Sequence, residues 1–133
     1  MKKFKYMKKG FTIIELLVVI AIIGLLVAIV LVSIGNIKAK NRDARRMADM
    51  KQIATALNLY NNTNNRYPIG DIDAMTTALV NNGSISGVPK DPLSSGLYVY
   101  TYTSADGLNF TLGFYLETNT IQGYPQGPNT ITP

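Results

Sequence analysis

The chain contains no cysteine and no histidine. Without cysteine, no disulfide staples the fold and no thiolate holds a metal. The compartment stays open, since a cysteine-free chain fits either side of a membrane. Without histidine, it lacks the commonest general base and the commonest metal ligand. A nucleophile would therefore need a Lys or carboxylate partner. The one close pair of acids in the second half, Asp71 and Asp73, reads as a helix-start pair rather than an acid–base dyad. Glycine-rich phosphate loops are missing as well. No catalytic residue and no cofactor is expected, and the chain does not read as an enzyme.

Charge is scarce where it would be most conspicuous. After Glu15 the next charged residue is Lys38. The net charge of +5 over 133 residues is also local. Lys2, Lys3, Lys5, Lys8 and Lys9 lie in the first ten residues. Setting these five aside leaves eight basic against eight acidic residues. The basic isoelectric point is therefore weak support for a nucleic-acid partner.

What is present is a long apolar run. From Leu16 to Val32 every residue is apolar or glycine. Extended to Phe11 and Ile34, the run is interrupted among polar types only by Thr12, Glu15 and Ser33. As a helix it spans roughly 36 Å, enough for a hydrocarbon core of about 30 Å. No face of it is polar, which excludes an amphipathic surface helix.

Three readings compete. A secretory signal would end at Ser33-Ile34-Gly35, but the run is longer than the usual apolar core and contains Glu15. A single-pass anchor explains the length but leaves the acid in lipid, at a cost of about 2–3 kcal/mol. A cut between Gly10 and Phe11 removes the basic leader and makes Phe11 the amino terminus. Positions four apart on a helix share a face. The new ammonium could then pair with Glu15 of its own chain or of a neighbour.

The stretch Lys8-Lys9-Gly10-Phe11-Thr12-Ile13-Ile14-Glu15-Leu16-Leu17, continued to Gly24, resembles the class III signal of type IV pilins and type II secretion pseudopilins. The resemblance implies a prepilin peptidase that cuts after Gly10 and methylates the amine of Phe11. It implies that Glu15 registers the incoming subunit during assembly and that the apolar helices form a filament core. Its implied partners are copies of the chain itself, the peptidase, an inner-membrane assembly platform and the lipid bilayer. Gly24 matches a position where helices of this family loosen. The family's proline eight residues later is Val32 here, so any kink would fall at Gly24 or Gly35-Asn36. Flanking charge does not orient the run, because Lys38, Lys40, Arg42, Arg45 and Arg46 follow it closely. Orientation rests on the resemblance, with the leader inside and residues 36–133 outside.

Beyond the run, Met47, Met50, Ile53, Leu57 and Tyr60 recur at helical spacing, with Ala44, Ala48 and Ala54 on the same side. Arg46, Asp49, Gln52 and Asn58 fall largely elsewhere. The polar run Asn61-Asn62-Thr63-Asn64-Asn65 ends this helix, which from about 12 to 61 would be roughly 75 Å long. A short helix is expected over 72–82, capped by Asp71 or Asp73, with Ala74, Met75, Ala78 and Leu79 inward. It closes at Asn82-Gly83. Gly87-Val88-Pro89-Lys90-Asp91-Pro92 reads as an extended loop. Residues 97–103 and 110–117 alternate as a hairpin around Ser104-Ala105-Asp106-Gly107. Tyr98, Tyr100 and Tyr102 form either a core face, the preferred reading, or an exposed aromatic row. Residues 118–133 read as a tail that wraps the sheet or is mobile.

Tyr67-Pro68, Val88-Pro89-Lys90-Asp91-Pro92 and Tyr98-Val99-Tyr100 also look like the G-type major pseudopilins of type II secretion. Where that class has Trp-Gly after Asp-Pro, this chain has Leu93-Ser94. The Asp/Gly-rich loop that binds calcium in that class has no counterpart. Asp91, Ser104 and Asp106 are too few oxygen donors for calcium, so no metal site is expected. The basic cluster 38–46 could contact DNA phosphates or anionic lipid head groups. A solvated face, or salt bridges to neighbouring subunits, is the preferred reading.

The expected fold is α+β: a long N-terminal helix packed on a small antiparallel sheet. Residues 1–10 form a leader, 11–35 a membrane or filament-core helix and 36–133 an extracytoplasmic head. The expected role is a pseudopilus subunit that supports secretion. The alternatives are a type IV pilus subunit for adhesion, motility or DNA uptake, and a single-pass protein whose head binds a ligand.

Overall fold

The structure, a computed structural model, describes residues 10–133, so the basic leader lies, up to Lys9, outside the described residues. It divides into two units, one ending at Ile37 and one running Lys38–Pro133, and helix α1 (Ile13–Asn64) has turns in both.

In the first unit every residue from Gly10 to Ile37 is exposed. Ile13, at 86% of its surface, and Leu25, at 65%, represent a segment that is apolar on all sides and covered on none. A helix of this kind does not persist in water; it needs lipid or other apolar helices around it. The helix is continuous through Gly24 and Gly35.

The second unit is the head. Its part of α1 buries Met50, Ile53, Ala56 and Leu57, with Met47 and Tyr60 packed at the margin. The stripe is the expected one, but Ala44 and Ala48 face outward and Ala56 takes the inward place. The helix also outlasts its expected end. Thr63 and Asn64 donate side-chain hydrogen bonds to the carbonyls of Leu59 and Tyr60, four residues back, so these polar residues close the last turn rather than break it. The chain leaves at Asn65, whose φ of 55° is the left-handed conformation of a helix terminus.

Helix α2 (Ile72–Asn81) is capped by Asp71, whose carboxylate accepts from the Ala74 amide at 3.0 Å. It buries Met75 and Leu79. Ala74 is exposed and Ala78 half-buried, because a one-sided helix of this length covers the core with one narrow stripe.

The sheet has three antiparallel strands in the order β1 (Thr101–Thr103), β2 (Thr111–Leu116), β3 (Gly127–Ile131). Tyr102 lies opposite Leu112, and Leu116 opposite Gly127. Leu112, Phe114 and Leu116 face the core, as the alternation requires. Each such fully buried Leu or Phe contributes on the order of 2 kcal/mol. β1 is shorter than expected, since residues 97–100 leave the ladder. Even so, Tyr100 and Tyr102 are buried and Tyr98 half-buried, in agreement with the core reading. The tail expectation for 118–133 is corrected, because its last residues form β3 on the free edge of β2. Pro128 sits there without cost, since an edge strand has an N–H to spare.

Candidate functional site

Two constellations carry chemistry. The first is the start of α1. Thr12 precedes the first helical turn, and its amide N–H and hydroxyl both donate to Oε2 of Glu15, at 2.8 and 2.7 Å. Thr12 Oγ1 in turn accepts from the Glu15 amide at 3.3 Å. This reciprocal arrangement is a capping box, which satisfies two amides that the first turn leaves without carbonyl partners. Its signal, Thr-x-x-Glu, stands in the sequence, yet reading Glu15 only as a stranded acid overlooks it. The carboxylate is held over Thr12, one peptide away from the nitrogen of Phe11. That nitrogen is a neutral amide in the uncut chain. The Gly10–Phe11 bond lies outside the helix. Phe11 is 80% exposed, and a side chain at Gly10 would meet open space.

The second constellation lies in the head. The helical spacing puts Arg46 and Asp49 largely away from the core, and the preferred reading of the basic cluster is a solvated face or salt bridges to neighbouring subunits. Instead, Asp43, Arg46 and Asp91 are buried. Arg46 donates from Nε and Nη2 to the two carboxylate oxygens of Asp91, at 2.6 and 3.0 Å. Its Nη1 donates to Asp43 Oδ1 at 2.8 Å and to Glu117 Oε1 at 2.6 Å. Arg42 holds Glu117 through Nε and Nη2. The guanidinium of Arg46 also lies 4.9 Å from the Tyr98 ring centre, within cation–π range.

Asp43 is saturated. It accepts from Arg46, from the amides of Glu117 and Thr118, and from the Thr118 hydroxyl. Asp91 also accepts from the Leu93 amide at 2.8 Å. The two hydrogen-bonded guanidiniums, Arg42 first and then Arg46, hold the Glu117 carboxyl at about 2, well below its ordinary value. Beside the cluster, burial and then the Asp49 carboxylate, which accepts from the Tyr100 hydroxyl at 2.8 Å, push that phenol up. Among the described residues no buried side-chain nitrogen or oxygen lacks a partner.

The cluster fastens the 91–94 loop and the end of β2 to α1. Bidentate pairing fixes direction as well as distance, so it sets the register of those segments on the helix. A buried ion pair adds little net stability over an apolar filling, but removing one partner is expensive.

These contacts revise the sequence picture. Arg42 and Arg46 face intrachain carboxylates, which withdraws them from the basic surface considered for DNA or lipid. Arg45, with its side chain 64% exposed, stays at the surface, 4.0 Å from the Asp49 carboxylate one turn on. The oxygen donors weighed for calcium are engaged separately: Asp91 with Arg46, Ser104 with the Asn109 carbonyl, and Asp106 with the amides of Leu108 and Asn109.

Residues 5–35 match the family model described as the prokaryotic N-terminal methylation motif. Among characterised proteins, the chain is 31% identical over 125 residues to the type II secretion system core protein G of Vibrio cholerae, covering 85% of this chain and 84% of that one. The core protein G of Aeromonas hydrophila is 30% identical over 99 residues, 66% of this chain and 69% of that one. The match to the Pectobacterium carotovorum core protein G, at 31% identity, spans 68% of this chain but only 57% of the relative. The type IV major fimbrial protein FimA of Dichelobacter nodosus is 43% identical, but over 53 residues, 40% of this chain. No solved structure gave a significant match.

Proposed function

We propose a filament-building role for this chain, which belongs to the type IV pilin and type II secretion pseudopilin family. It is made with a basic leader, residues 1–10, cut between Gly10 and Phe11 by a prepilin peptidase and methylated on the new Phe11 amine. Residues 11–35 hold the mature subunit in the bilayer until an inner-membrane assembly platform transfers it to the filament, with residues 36–133 on the outer side. There the apolar helices exchange lipid for one another. The chain acts as a structural subunit and substrate of processing, not as an enzyme.

The observation that carries this reading is the Glu15 carboxylate held over Thr12 at the start of an otherwise uncovered apolar helix. Once the chain is cut, the ammonium of Phe11 arises beside that carboxylate. An ammonium on a neighbouring copy can take the same acid. Pairing offsets the cost of an ion in an apolar surrounding, and a half-satisfied acid selects for a partner in register.

The preferred assembly is a pseudopilus that serves protein secretion, because similarity to the core protein G relatives extends over both units. A type IV pilus is the second reading, favoured by the higher identity to the fimbrial protein over its shorter span.

The test is a Glu15→Ala variant expressed with the assembly machinery. It is expected to insert in the membrane at the normal level and to give far fewer filaments. Wild-type filament yield would reject the pairing mechanism.

A further inference from the structure

A cavity of about 450 Å³ opens on the head between α2, the 88–94 loop and the residues just before β1. Its size lies within the range of small-ligand sites. Ile72, Val88, Pro89 and Val99 give it an apolar lining.

Most polar side chains around it are already engaged. The Thr76 hydroxyl donates to the Ile72 carbonyl, the Ser94 hydroxyl to the Asp91 carbonyl and the Tyr100 hydroxyl to the Asp49 carboxylate. The Asp91 carboxylate is taken up by Arg46 and the Leu93 amide. Two charges are left over. Asp73 on α2 and Lys90 on the loop line the same cavity, and both are exposed. Among the described residues neither forms an ion pair, with the other or with anything else.

Backbone is left open there too. Val88 and Val99 lie outside every helix and strand, and Pro89 holds Val88 in the extended region. Among the described residues their N–H and C=O groups have no backbone partner. The cavity is thus flanked by donors and acceptors of the kind an unpaired strand edge presents.

We propose that this cavity binds a short zwitterionic peptide, its ammonium end at Asp73, its carboxylate end at Lys90 and its backbone bonded to the open groups of Val88 and Val99. Opposite charges set apart on an apolar lining select a ligand that carries both charges with an uncharged body between them. A neutral sugar would leave both charges unanswered, and a purely anionic or cationic ligand would meet one charge of its own sign. An extended peptide also supplies acceptors and donors to the two valines at once. Binding needs no filament, so it stands or falls apart from the polymeric reading.

The test is amide NMR of the full chain in detergent micelles, titrated with trialanine, with its N-acetyl form and with its C-terminal amide. Trialanine is expected to shift the amides of Thr76, Val88 and Val99 along one saturable curve. Blocking either end should weaken binding about two- to five-fold, the range of an exposed ion pair. In Asp73→Asn the N-acetyl form should bind as well as trialanine, while the amide stays weaker; Lys90→Gln should show the reverse. Neither residue belongs to the Arg46 cluster, so the rest of each spectrum should match the wild type. No saturable shift at these amides, equal binding of all three peptides, or end-blocking effects that survive both substitutions would overturn the proposal. Shifts at the same amides that grow with chain concentration in the absence of peptide would give the cavity to a second copy, and would overturn it as well.

Discussion

Arg46 and Asp91, forty-five positions apart in sequence, meet inside the head through two parallel hydrogen bonds of 2.6 and 3.0 Å. Arg46→Ala would leave Asp43, Asp91 and Glu117 converging on an empty space. The expected loss is about 3–5 kcal/mol, the range for breaking a buried pair by removing one partner. Urea unfolding of the detergent-solubilised chain measures it. Arg46→Lys should recover little, because an ammonium cannot serve two carboxylates and a bidentate partner at once. Arg42→Gln should cost less than Arg46→Ala, since Glu117 keeps its bond from Arg46.

Much of this architecture was legible in the sequence, and the exceptions have physical causes. The apolar run and the stripe from Met47 to Tyr60 are periodic, and period is what a chain displays openly. Arg46 was not legible, because its partners at 91 and 117 are brought to it by the fold alone. Charged residues beside an apolar stripe look the same whether they meet water or buried carboxylates. β3 stayed hidden because Gly127-Pro128-Asn129-Thr130-Ile131 has no apolar alternation and opens with three residues that disfavour strands; the free edge of β2 recruits it. At the start of α1, Gly10, Phe11 and Glu15 are conspicuous in the sequence, whereas the pairing of Thr12 with Glu15 is masked by the apolar run around it.

The head should lose stability in acid. The Glu117 carboxyl is lowered in the folded chain from 4.5 to about 2. A carboxyl lowered by folding contributes stability that is present above its unfolded value and is lost as pH falls through the folded one. The urea midpoint is therefore expected to drop between pH 4.5 and 2. Glu117→Gln should flatten that part of the profile while lowering the plateau at neutral pH.

Gly113 lies in β2 opposite Thr101, and a Cβ there would stand 2.3 Å from Thr101 Oγ1. Gly113→Ala should destabilise the head by about 1–3 kcal/mol, as overpacking does. Thr101→Ala in the same chain removes the colliding oxygen and should return most of the loss. A double variant no more stable than Gly113→Ala alone would contradict the register of β1 on β2.

Thr12 should govern fraying at the start of α1. Thr12→Val removes the hydroxyl that both donates to Glu15 and accepts from its amide. Amide hydrogen exchange of residues 13–16 in micelles should become several-fold faster. Thr12→Ser, which keeps the hydroxyl, should stay near the wild-type rate.

The central claim is that cleavage creates an ammonium for Glu15 at the head of an apolar assembly helix. Intact-mass measurement of the chain purified from membranes and from filaments tests it most directly. The account predicts a mass lacking residues 1–10 and heavier by one methyl group, with fragment ions placing that methyl on the Phe11 nitrogen. A mature chain that begins at Met1, or anywhere past Gly35, would contradict it.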